Sequence, residues 1–183
     1  MFNIKKGRLL ISEPCLSDST FFKSVVLITH HTINESIGLV LNQKTDVKLN
    51  ELINDIPTSN FPVYIGGPVE KNAIQFIHTI GDEISNTEEI IKGLYWGGDF
   101  DEVIELIDKN KISNEQIRFF AGYSGWGKNQ LHNEIRESGW IMHKANINLC
   151  MQHSNNKLWS DLIKTKKEKY AIWANMPKDP SLN

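Results

Sequence analysis

The segment Gly122-Tyr123-Ser124-Gly125-Trp126-Gly127-Lys128-Asn129 is where residue types and spacing come closest to chemistry. As a phosphate-binding loop it offers a glycine, four residues and then Gly127-Lys128. The next residue is Asn129, where such a loop needs a hydroxyl to hold magnesium. Trp126 is also bulky for a loop that must wrap phosphate closely. As a nucleophile elbow around Ser124, the segment carries Trp126 where the final glycine belongs. A hydrolase would further need a downstream histidine base, and His132, His143 and His153 are available in a chain of six histidines. The plainer expectation is a turn in which glycines supply positive φ and Trp126 packs over the sheet.

Other reactive types are dispersed. His30 and His31 are adjacent on an expected strand, so their side chains leave opposite faces and cannot share a metal. His78 lies in an apolar run and is expected as a hydrogen-bonded core histidine. There is no HExxH and no CxxC, so neither a metal nor another cofactor is expected. Cys15 and Cys150 are far apart and are expected as free thiols, suited to a reducing cytosol. Asp82-Glu83 and Glu88-Glu89 are expected as solvated turns and helix starts. Lys164, Lys166, Lys167 and Lys169 crowd one helix end, where cations complement the macrodipole.

The elements that would position these groups follow from pattern. Arg8–Ser12, Ser24–His31 and Ser36–Asn42 are short apolar, β-branched runs and are expected as strands, the last two as a hairpin across Thr32–Glu35. Lys48–Asp55 is at best a short helix. Pro62–Ile65 is expected as a strand halted at Gly66-Gly67-Pro68, with Ala73–Ile80 as its partner. Asp99–Asn110 is an amphipathic helix, with Phe100, Val103, Ile104 and Ile107 on one stripe and an Asp99/Glu102 capping box. Ile117–Ala121 is a strand, the glycine-rich segment a loop, and Asn129–Ser138 a helix closed by a left-handed Gly139. Trp140–His143 and Ile147–Met151 are expected as strands, Asn156–Lys167 as the last helix and Tyr170–Trp173 as a closing strand. The tail from about Pro177 is expected to be loose. Runs of strands with interspersed helices indicate α+β with a mixed sheet.

Bulk properties narrow the function classes. The 183 residues fit a single domain, 1–183. A net charge of −2 supplies no field to recruit nucleic acid or an anionic membrane. Arg8, Arg118 and Arg136 are the only arginines, which weighs against a dedicated DNA reader. No run of apolar residues is long enough to span a membrane, and Met1–Arg8 lacks the apolar core of a signal peptide. A cytoplasmic protein is expected.

The order of the glycine turns is more specific than any one of them. Gly7–Pro14, Asp18 with Phe21–Leu27, Gly38–Asn42, Val63–Glu70, Leu94–Phe100 and Phe119–Leu131 with Glu134 follow one another in a pattern that resembles the bacterial AlgH/YqgE family. Trp140 and Trp159 also fall where that pattern has them. The resemblance implies a single α+β domain with a curled mixed, largely antiparallel sheet and helices packed around it. It carries a transcriptional-regulator label, derived from a proposed role in alginate synthesis, but no helix-turn-helix is evident in the sequence. Lys128 and Asn129 depart from the family pattern, which has a small residue or proline and then glycine. The near phosphate loop is therefore an accident of this sequence.

These observations point to a non-enzymatic regulatory or interaction protein with an unidentified protein partner. The alternative is a small-molecule or anion binder, or an enzyme, with its site at the glycine turns, where Asn129 would open a helix with free backbone donors. Specific nucleic-acid binding is not expected. The candidate surface comprises Asn42, Gly66, Gly67, Pro68, Gly97, Gly98, Gly122, Tyr123, Ser124, Gly125, Trp126, Gly127 and Gln130.

Overall fold

The computed structural model describes residues 3–14, 19–53, 56, 60–153 and 157–166. Its first three strands, β1 (Arg8–Ser12), β2 (Val25–His31) and β3 (Glu35–Val40), form an antiparallel meander. Their central positions are apolar because both faces are covered there. Leu9, Ile11, Val25, Leu27 and Leu39 enter one core cluster, while Leu10, Val26, Ile28 and Val40 enter another. The β2–β3 turn is closed by Thr32, whose N–H donates to the Glu35 carbonyl and whose Oγ1 accepts from Asn34 N and Glu35 N.

The remaining strands are β4 (Lys44–Lys48), β5 (Pro62–Ile65), β6 (Val69–His78), β7 (Glu88–Ile91), β8 (Leu94–Trp96), β9 (Ile117–Gly127) and β10 (Trp140–Lys144). The sheet order is β10-β1-β2-β3-β9-β6-β8-β7, with β4 and β5 branching from β9. Only the β5–β9 pair is parallel among the described pairings. The sheet curls without closing: the residues before β1 meet the outermost strand, where Gly7 packs against Ile90 and Ile91 and Lys6 Nζ pairs with Glu88 at 2.9 Å. The expected α+β class, with a mixed and largely antiparallel sheet, is the one observed.

Five helices pack around it among the described residues: α1 (Leu49–Leu52), α2 (Phe100–Asp108), α3 (Gln130–Arg136), α4 (Ile147–Met151) and α5 (Leu158–Lys164). Helix α2 follows its stripe, with Val103 and Ile107 buried in a third cluster beside Phe61, Phe76 and Phe119. Asp99 caps it, accepting from Asp101 N and Glu102 N. The reciprocal half of the capping box is absent, because the Glu102 carboxylate accepts from Ser85 N and Oγ instead.

Several sequence expectations are corrected. Strand β6 is not the partner of β5; it pairs with β9 and β8. Glu88 and Glu89 lie on edge strand β7, not on a turn or helix start. Ile147–Met151 is a helix, because Asn146 caps it by accepting from Leu149 N. The left-handed residue after α3 is Ser138 (φ 65°), not Gly139. Ser138 N bonds the Ile135 carbonyl and Gly139 N that of Glu134, the two-bond closure in which the residue after the cap is left-handed. Lys166 does not merely solvate a helix end: its Nζ lies 2.9 Å from His143 Nδ1 on β10. Above all, Gly122–Gly127 is not a loop but the second half of β9. Cys15, Asp18, Lys167, Lys169, Tyr170–Trp173 and the tail from Pro177 lie outside the described residues.

Candidate functional site

Strand β9 explains Gly66, Gly67 and Gly122. Its first half pairs in parallel with β5 on one edge, through Val63↔Phe119 to Ile65↔Ala121, and with β6 on the other. The chain therefore passes from one edge of β9 to the other within Gly66-Gly67-Pro68, directly over Gly122 and Tyr123. Backbone lies on backbone at this crossing. A Cβ on Gly66 would run into the Gly122 carbonyl, and one on Gly67 into the main chain of Tyr123 and Ser124. A Cβ on Gly122, itself left-handed at φ 69°, would sit 2.6 Å from the Val69 carbonyl oxygen. The crossing is stitched by Gly66 N to Ala121 O, Val40 N to Gly66 O (both 2.9 Å), and Ser124 Oγ donating to Gly66 O at 3.1 Å. Ser124 is thus buried between strands, not presented on a strand-to-helix elbow.

Asn42, Gly97 and Gly98 are structural as well. Asn42 Oδ1 accepts from Val25 N and its Nδ2 donates to the Lys23 carbonyl, both at 2.8 Å, clamping the segments that flank β2 and β3. The Gly97 carbonyl accepts from His78 Nε2 at 3.0 Å. Burial lowers the His78 pKa, with the Gly97 bond opposing, and Nδ1 is buried without a partner. Gly98 fits against Ile84 and the Ser85 carbonyl.

Beyond Tyr123, β9 pairs with β3 alone among the described strands. Beside that half-paired end lies a cleft of about 440 Å³, lined by Phe21, Pro68, Gly125, Trp126, Gln130, Glu134, Glu137, Gly139 and Trp140. Its wall is an aromatic group. Trp126 and Trp140 meet edge to face at 6.1 Å, and Phe21 lies 6.3 Å from the first and 5.2 Å from the second. One carboxylate ties it together: Glu134 Oε2 accepts from Trp126 Nε1 at 2.9 Å and Trp140 Nε1 at 2.8 Å, while Oε1 accepts from Gln130 Nε2 at 3.0 Å. Helix α3 makes this possible because Gln130 and Glu134 are four residues apart, on one face. Trp126 is only 3% exposed, so it packs structurally, as the sequence suggested.

The structure thus separates the sequence candidates. Pro68, Gly125, Trp126 and Gln130 share the cleft; Gly66, Gly67, Gly122, Tyr123 and Ser124 belong to the crossing. Gly127 faces a second, smaller cavity of about 240 Å³ that also holds His31, Ser36, Asn129 and His132. There His31 Nδ1 lies 2.8 Å from Ser36 Oγ. Asn129 is left-handed (φ 62°) and precedes a helix of seven residues, while the Gly127 N–H is taken by Gln130 Oε1.

Residues missed from sequence include Phe21, Glu134, Glu137 and Trp140 in the cleft, and Arg118 in the core. Arg118 is buried on β9, donating to the Leu41 and Cys150 carbonyls with its guanidinium 4.2 Å from the Tyr64 ring centroid. Burial lowers its pKa to about 10 and pushes the neighbouring Cys150 thiol up to about 12. An arginine inside an apolar strand was the available signal. For the cleft it was the Gln130/Glu134 spacing between two tryptophans. Among the described residues, no group of three or more His, Cys, Asp or Glu side chains is placed to hold a metal, and no helix is long and apolar enough to cross a membrane.

Comparison with known proteins bears on this arrangement. A protein of Bacteroides thetaiotaomicron described as a UPF0301 protein is 37% identical over 179 residues, covering 97% of this chain and 91% of its own. A UPF0301 protein of Chlorobium limicola is 36% identical over 180 residues, covering 98% and 96%. Two solved structures share the fold. A Corynebacterium diphtheriae protein superposes with a TM-score of 0.78 at 20% identity, over 96% of this chain and 94% of its own. The AlgH protein of Pseudomonas aeruginosa does so with a TM-score of 0.75 at 22% identity, over 97% and 99%. The sequence also matches the AlgH-like family (DUF179) from residue 9 to residue 171, so the glycine crossing and the aromatic–carboxylate cleft both fall inside that match, and the chain belongs to the AlgH-like family.

Proposed function

We propose that this chain is a non-enzymatic interaction protein of the bacterial cytoplasm that docks a protein partner at the Trp126–Glu134–Trp140 cleft. The observation that supports it is the pinned aromatic wall: one carboxylate accepts from both indoles and an amide, so the surface is ordered before anything binds. Preorganisation of this kind reduces the ordering cost of association. The potential nucleophile Ser124 is instead committed to the backbone crossing. The family's transcriptional label is not taken literally, since the cleft presents carboxylates, which repel phosphate. Photo-crosslinking in cells from a crosslinking amino acid at Gln130 tests the reading. A defined adduct that is absent when the same group replaces Lys109, an exposed residue that follows α2 and does not line the cleft, is expected. Equal labelling from both positions, or none from Gln130, overturns it.

A second reading rests on the His31–Ser36 contact, which places an imidazole against a hydroxyl in a cavity with His132. Burial lowers the His31 pKa, with His30 adding to the effect, which keeps the ring in its basic form. An esterase built on this pair would label at Ser36 with a fluorophosphonate, and the label would vanish in His31→Gln. Absence of labelling in the native chain removes this reading.

A further inference from the structure

We infer that the cleft beside Glu134 receives a lysine or arginine side chain from a basic segment of the partner, an inference that rests on the docking reading above. The three donors that hold Glu134 are two indole N–H groups and a primary amide, all neutral. Neutral donors stabilise a carboxylate but leave its charge uncancelled. Among the described residues no lysine, arginine or histidine forms an ion pair with Glu134. Among the described residues lining the cleft, the other ionisable group is the exposed Glu137, so they contribute two carboxylates and no cation.

The walls complement the rest of such a side chain. Phe21, Pro68 and the exposed backbone at Gly125 give an apolar approach to the carboxylates. A lysine or arginine combines an apolar stem with a charged head and fits surfaces of this kind. The indole donors are already used by Glu134, and what the two carboxylates offer an incoming group is acceptance; an ammonium or guanidinium, which only donates, matches that. Glu134 Oε1 accepts one bond in the structure and keeps capacity for another. The polarity is local to this cleft. The groove between β7 and α4, lined by Ile91, Lys92, Lys144, Ala145, Ile147 and Leu149 among others, carries two lysines and no carboxylate. An acidic segment would be drawn there, and a basic one to Glu134.

The test uses the full chain and three peptides of one length: a glycine-spaced lysine peptide, its norleucine isostere and its glutamate counterpart. The readout is the indole N–H resonances of Trp126 and Trp140, assigned by tryptophan-to-phenylalanine substitution at each. The lysine peptide should shift both signals saturably, and the norleucine isostere should bind at least about tenfold more weakly. Raising salt from about 50 to 300 mM should weaken the lysine peptide. Glu137→Gln, at an exposed position, should lower its affinity about threefold without changing thermal stability. Glu134→Gln should lower it further. Equal binding of the lysine and norleucine peptides overturns the cationic occupant while leaving the cleft as a docking site. So does stronger binding by the glutamate peptide. If no peptide shifts either indole, the inference fails; an adduct still formed from Gln130 in cells would then preserve the docking reading, and its absence would remove both.

Discussion

The two halves of β9 use glycine in opposite ways. In the first half, Gly122 lies under Gly66 and Gly67, and a side chain at any of the three would collide with main-chain atoms. In the second half, a Cβ on Gly125 would stop 3.5 Å from the Tyr123 ring, and one on Gly127 would meet nothing within 4 Å. The fold requires glycine at the crossing and merely permits it beside the cleft. Glycine within a strand has a conformational cost and contributes no packing. Its presence at Gly125, where the fold does not require it, fits a surface kept open for a ligand. Within eleven residues of a single strand, glycine is imposed by main-chain packing at one place and free of it at another.

The largest expected effect is at the crossing. Gly67→Ala places a methyl group against the Tyr123–Ser124 backbone, which is held in place because Tyr123 pairs with Val69 of β6 and Ser124 with Gly38 of β3. A loss of about 4 kcal/mol or more is expected, the range reached only by severe steric or burial defects, or failure to fold. Urea unfolding or soluble yield reports it. A loss near 1 kcal/mol would show that the crossing can open, and the structural half of the comparison would fall.

Trp126→Ala comes next. It empties a buried indole site and leaves Glu134 without one of its donors, so a loss of about 3–5 kcal/mol is expected. Chemical unfolding checks this, and a loss below about 1 kcal/mol, usual for surface positions, would mean that the indole is free to serve the cleft directly.

Acidification separates the halves by charge. His78 faces Ile117 across the β6–β9 ladder, is held neutral by burial, and is depressed below its ordinary value of 6.5. The unfolded chain therefore binds a proton that the folded chain refuses. The stabilisation is full above the unfolded pKa and is lost as pH falls through the window between the unfolded and folded values. His153, which links Tyr64 to the Asn114 carbonyl, is lowered first by burial and acts in the same direction. Urea midpoints measured between about pH 7 and pH 5 should fall. The fall should be shallower in His78→Gln and unchanged in Glu137→Gln. A slope that follows the cleft variant instead would move the titrating group to the wrong end of β9.

The sequence disclosed this fold unevenly, for physical reasons. The strands β1 to β3 were visible because burial on both faces forces an unbroken apolar run, and α2 because its stripe and its Asp99 cap agree. The second half of β9 was hidden. Local rules assign Gly-Tyr-Ser-Gly-Trp-Gly to a turn, whereas Gly122 is required by residues 66 and 67, contacts that no local pattern records. Helix α4 was mistaken for a strand because Ile147–Met151 is too short to show a helical period; the cap at Asn146 was the better guide. Trp126 was found through a motif that proved to be a strand, and Gln130, on α3, through the family segment Phe119–Leu131. Phe21 was missed because it reaches the cleft from a distant segment, a placement set only by tertiary packing.

The smallest expected effect on stability is also the most informative. Gly125 is exposed, has no need of positive φ, and lines the cleft. Gly125→Ala adds one methyl group at an ordinary van der Waals distance from Tyr123, so stability should change by no more than about 0.5 kcal/mol. Gly125 nevertheless lines the cleft, and the methyl group narrows its backbone edge on the Tyr123 side. Adduct formation from Gln130 and lysine-peptide binding should both drop, while Gly127→Ala, which faces the other cavity, should leave both intact. Thermal unfolding together with the indole titration decides it. Unchanged stability with unchanged binding would show that the open backbone at Gly125 serves no ligand. A loss of several kcal/mol would show that β9 is as tightly constrained beside the cleft as at the crossing, and the contrast between its halves would disappear.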